Sequence, residues 1–75
     1  MQQLDYDMKV ISAIRQMRKA LKIKQLTIAK ALNISVSYYS KIENGKKAIT
    51  SGQLEIIGKE LGQTQFDILT SATRL

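Results

Sequence analysis

The sequence predicts an all-α domain of five short helices, and three observations carry the prediction. Apolar residues recur three and four apart along most of the chain, the period of a helix with one buried stripe. Helix-stopping and helix-capping residues punctuate those stretches: Asn33, Gly45 and Gly62 suit a left-handed stop, and Ser35, Thr50, Ser51 and Thr64 suit a cap. No proline interrupts the chain. Its 75 residues make one small domain, near the lower end of what folds without disulfides or metal.

Taken in order, residues 1–7 read as a loose arm and 8–75 as the domain, with Asp7 placed to cap the first helix. That helix spans about Met8 to Leu21. Val10, Ile11, Ile14, Met17 and Leu21 trace its apolar stripe, while Lys9, Arg15, Lys19 and Lys22 face solvent. Ile23 anchors the link onward. The stretch from Gln25 to Lys47, QLTIAKALNISVSYYSKIENGKK, then parses as two short helices joined by a tight turn. In the first, Leu26, Ile28, Ala29 and Leu32 face inward. Asn33 reverses the chain, Ile34 returns to the core, and Ser35 caps the second helix, where Tyr39 and Ile42 share the buried face. Gly45 stops it. Helices this short are not stable alone, so the flanking segments must act as their scaffold.

After a loop from Lys46, a fourth helix capped by Thr50 or Ser51 runs to about Leu61 and stops at Gly62. Leu54, Ile57 and Leu61 face inward, with Ile56 to one side. Gly58 costs about 1 kcal/mol against Ala inside a helix, which marks a close approach. Thr64 caps the fifth helix, with Asp67 three residues on as its reciprocal partner. Phe66, Ile68 and Leu69 supply more apolar surface than a terminal helix needs to close a core. The surplus, at Phe66 and Leu69, reads as a dimer interface.

Composition narrows the function. There is no Cys and no His, which removes thiolate and imidazole ligands and the commonest general base. The scattered acids assemble no catalytic, metal or cofactor site, so the chain reads as a non-enzyme without a small-molecule ligand. No apolar run is long enough for a membrane span, and MQQLDYD lacks the order of a signal peptide, so a cytoplasmic location is expected. The net charge of +6 is unevenly spread. Between Met8 and Lys47 lie ten lysines and arginines against one acid, Glu43; the remaining segments are slightly acidic. A positive field confined to the half with the two-helix stretch is the footprint of a polyanion-binding face.

The two-helix stretch resembles the helix-turn-helix of the Xre/Cro family, the lambda-repressor-like DNA-binding domains. Gln25 opens the first helix as Gln does in that family. Ala29 takes the small-residue position four further on, where the two helices cross closely. Asn33 stands at the usual Gly of the turn, followed by Ile34-Ser35. The second helix closes on Ser40-Lys41-Ile42-Glu43-Asn44-Gly45-Lys46, matching S-x-I-E-x-G-K. The resemblance runs from about Met8 to Leu69 and implies a five-helix fold with helices 2 and 3 as the DNA-binding unit. Three positions depart from it. Lys24 replaces a Ser or Thr cap and cannot accept a hydrogen bond. Tyr39 replaces an aliphatic core residue, and Lys22 stands where Gly often closes the first helix.

The resemblance implies an ion pair between Arg18 and Glu43, tying the first helix to the end of the recognition helix. It also implies a major-groove partner, double-stranded operator DNA, with Val36, Ser37, Ser40 and Lys41 facing base edges. Lys41 suits guanine O6/N7, the serines several edges, and Val36 a thymine methyl. Val36 and Ser37 have alternative roles in packing or capping. Gln25, Asn44, Lys46 and Lys47 would meet the phosphate backbone, with the Tyr38 hydroxyl offered to another phosphate and Ser35 beside them at the start of the helix. The leading reading is a transcriptional regulator that represses by occupying an inverted-repeat operator as a homodimer. The alternative is an antitoxin or adaptor that uses the same scaffold to hold a partner protein, though a pure protein binder has no need of so basic a half.

Overall fold

The computed structural model describes residues 2–74, with side chains from 8 to 72. The described residues form five helices and no strand: α1 (Gln2–Ala20), α2 (Gln25–Leu32), α3 (Val36–Glu43), α4 (Ser51–Leu61) and α5 (Gln65–Arg74). α1 packs against α3, α4 and α5, while α2 packs against α3 and α4. The core lies where these meet. α1, α4 and α5 brace the short α2–α3 pair.

The first helix departs from expectation. It begins at Gln2, so the stretch read as a loose arm is helical, and Asp7 lies within the helix instead of capping it. No Gly or Pro lies in residues 2–7 to stop the helix from extending backward. Val10, Ile11, Ala13 and Ile14 are buried, with Met17 packed against them. Leu21 is not part of this stripe. It falls after Ala20, where the helix has ended, and is 52 % exposed. Leu26 also faces outward, 47 % exposed, because only Ile28 and Ala29 of α2 reach the interior fully.

All four helix junctions close in the same way. Just beyond each helix end, one residue takes a left-handed conformation: Lys22, Asn33, Gly45 and Gly62. Its N–H and that of the following residue bond back into the last turn. At the end of α3, for example, Gly45 donates to Ile42 and Lys46 donates to Lys41. The first three connections also insert an isoleucine: Ile49 is buried in the core, and Ile23 and Ile34 pack against it. Thr50 caps α4 in a reciprocal box with Gln53, and Thr64 and Asp67 exchange the same two bonds at the start of α5. Gly58 is buried where α4 meets the turn into α5. A Cβ there would run into the backbone carbonyl of Gln63.

Candidate nucleic-acid interface

The surface of α3 follows from its period. Tyr39, Ile42 and Glu43 point inward and are buried. At 100° per residue the opposite face carries Ser37 and Lys41, flanked by Tyr38 on one side and Ser40 and Asn44 on the other. Ser37, Tyr38, Lys41 and Asn44 are exposed, and Ser40 is half-buried. Val36 is exposed as well, so it is not a packing residue. Capping belongs to Ser35, whose Oγ accepts from the Tyr38 N–H at 3.0 Å. That bond leaves Ser37 uncommitted. Ser37, Ser40, Lys41 and Asn44 make no side-chain hydrogen bond or ion pair to the described residues.

Beneath this face a polar hub fixes the helices. The Arg18 guanidinium grips the Glu43 carboxylate with two bonds, Nε to Oε2 at 2.7 Å and NH2 to Oε1 at 3.0 Å. Its remaining nitrogen donates to the carbonyl of Ile23 in the α1–α2 turn, at 2.9 Å. Gln25 completes the group by donating its amide Nε2 to Glu43 Oε1 at 3.0 Å. The first residue of α2 is thereby bonded to the last residue of α3. Gln25 keeps its second amide hydrogen and the uncommitted backbone N–H groups of the α2 start, since Lys24 gives no side-chain cap.

The hub is 9 % exposed at Arg18 and 2 % at Glu43. Burial alone would raise the Glu43 carboxyl, but the bonds from Arg18 and then Gln25 outweigh it and lower its pKa. The hydrogen bond to Glu43 raises Arg18 in return, against its own desolvation. Tyr39 is fully buried, and its hydroxyl meets no partner at bonding geometry among the described residues. Burial, and then the carboxylate of Glu43 nearby, push that phenol far above its ordinary value.

Asn44, Lys46 and Lys47 follow α3 and are exposed. The turn at Gly45 brings the chain back along the helix, and the Lys47 ammonium lies 5.9 Å from the centre of the Tyr38 ring. Nine residues of separation hide this contact from a periodicity reading; the reversal at Gly45 was its only sign in the sequence. The bond from Gln25 to Glu43 was likewise out of reach, because it depends on how α2 and α3 cross. On the far helix, Phe66 is 75 % exposed, whereas Leu69 is partly buried against the core and offers less to a partner.

A family model described as helix-turn-helix matches residues 14–69, most of the chain. The chain belongs to the helix-turn-helix family, in its Xre/lambda-repressor-like branch. As such it is a DNA-binding domain of the transcription-regulator class. The fold is similar to the crystal structure of the clp gene regulator ClgR from Corynebacterium glutamicum. The TM-score is 0.85 at 26 % identity, over 92 % of this chain and 73 % of that one. No curated protein matches the chain. Among the described residues of this helix-turn-helix domain, no helix is long and apolar enough to cross a membrane.

Proposed function

We propose that the domain binds a duplex operator as a homodimer, lays α3 in the major groove, and represses transcription by occupying the site. The observation that carries this reading is the outer face of α3. Ser37, Ser40, Lys41 and Asn44 have polar groups with no partner among the described residues, on a helix held from behind by Arg18, Gln25 and Glu43. Lys41, mid-face, reads a guanine edge; Ser37, Ser40 and Val36 complete the contact with bases. Gln25 and Ser35 at one end, and Asn44, Lys46 and Lys47 at the other, hold the phosphates on either side of the groove.

Competition titrations separate the two kinds of contact. Lys46→Ala or Lys47→Ala weakens selected and random duplexes alike, and flattens the dependence of log K on log salt by about 0.9 for each phosphate no longer neutralised. Lys41→Ala costs about 1–3 kcal/mol per half-site on the selected sequence and relaxes the base preference at one position. An equal loss on every sequence would make Lys41 a phosphate contact and leave sequence reading to Val36, Ser37 and Ser40.

A further inference from the structure

The contact between Lys47 and Tyr38 gives Tyr38 a role apart from its hydroxyl. We propose that Tyr38 is a positioning residue: its ring holds the Lys47 ammonium on the flank of α3, so that Lys47 meets a DNA phosphate already in place. This rests on the DNA-binding reading above.

Three features support it. Lys47 lies beyond the Gly45 turn, on an exposed loop where a lysine side chain has no other restraint, yet its ammonium lies over the ring at 5.9 Å. Among the described residues, no acid pairs with that ammonium. Glu43, the nearest acid in sequence, is buried and held by Arg18 and Gln25. The position also suits the task. Tyr38 stands one helical step to the side of the line through Ser37 and Lys41, so a cation on its ring faces the rim of the groove and not the base edges. A lysine placed in advance loses less side-chain freedom on binding than a free one.

The ring, not the hydroxyl, is then what matters. On a mixed-sequence duplex, Tyr38→Phe binds like the wild type, whereas Tyr38→Leu binds about two- to fivefold more weakly per subunit, the worth of an exposed cation–π contact. In a Lys47→Ala background, Tyr38→Leu has no further effect. In the free protein, the Lys47 side-chain protons show an upfield ring-current shift that persists in Tyr38→Phe and vanishes in Tyr38→Leu. Unchanged thermal melting accompanies all of this, because Tyr38 is on the surface.

Two results overturn the assignment while leaving DNA binding intact. One is a loss in Tyr38→Phe equal to that in Tyr38→Leu, which would make the hydroxyl the contact. The other is a Tyr38→Leu loss undiminished without Lys47. Failure of the wild type to bind any duplex with salt-dependent affinity would instead defeat the functional reading, and this inference with it.

Discussion

Arg18 and Glu43 show how a single pair is read in terms of the whole structure. Taking both charges from water is expensive, and the five-donor guanidinium offsets that cost only because Glu43, Gln25 and the Ile23 carbonyl satisfy the group together. Removing one partner strands the other, so Arg18→Met or Glu43→Leu should each cost about 3–5 kcal/mol in urea melts. The double variant should cost far less than their sum. Equal sub-kcal effects of both single changes would refute a buried pair. The same hub sets an acid limb. Because the folded pKa of Glu43 is lowered, its contribution is fully present above the unfolded carboxylate value of about 4.3 and is lost as pH falls through the lower folded value. Stability of the double variant should therefore fall less steeply below that pH than stability of the wild type. Tyr39 gives a change of opposite sign. Its buried hydroxyl lies near the Glu43 carboxylate but finds no partner at bonding geometry among the described residues, so Tyr39→Phe keeps the ring and removes a desolvated polar atom. The expected gain is about 1 kcal/mol; a loss of that size would show that the hydroxyl is bonded after all.

At the scale of the element, the stops decide more than the propensities. Asn33, Gly45 and Gly62 were legible as left-handed residues, as were the caps at Ser35, Thr50 and Thr64, because each acts through chemistry within a few residues. The stripe positions Leu21 and Leu26 misled. Periodicity places them inward, but a helix that stops at Ala20 and a first turn that overhangs the core leave both exposed. The start of α1 was missed because Asp7 reads as an N-cap, although nothing in residues 2–6 breaks a helix that runs back past it. Within the candidate interface, the outward residues of α3 followed from its period, while the contacts of Gln25 and Lys47 depend on chain segments brought together by folding. Two substitutions test the stops. Lys22 holds a conformation with φ +59 that strains any residue with a Cβ. Lys22→Gly should gain about 0.5–1 kcal/mol after the entropy cost of glycine is counted. Gly58→Ala should go the other way despite better helix propensity, losing about 1–3 kcal/mol, because the added Cβ meets the Gln63 carbonyl. Urea midpoints measured side by side would refute the argument if both changes shifted the same way.

Over the whole molecule the chemistry divides between two ends. The α2–α3 unit carries exposed cations and uncommitted polar groups, whereas α5 carries Phe66, the most exposed large apolar side chain among the described residues. Exposing so large a ring to water is unfavourable by roughly 25 cal/mol for each Å² of apolar area left uncovered. A second copy meeting it across a two-fold axis would cover both rings at once, as a self-complementary interface requires. Leu69 turns largely toward its own core, so Phe66 should dominate the contact. The geometry of DNA then fixes the rest. Two recognition helices related by that axis must enter successive major grooves on one side of the duplex, about 34 Å apart, on an approximate inverted repeat. Phe66→Ser should leave affinity for an isolated half-site near the wild-type value and abolish cooperative filling of the paired sites. Its fold should be unaffected, since the ring is on the surface. Protection by the wild type should span two half-sites with a shared centre. A footprint confined to one half-site at saturating protein would rule out the dimer, and intact cooperativity in Phe66→Ser would move its interface elsewhere on the surface.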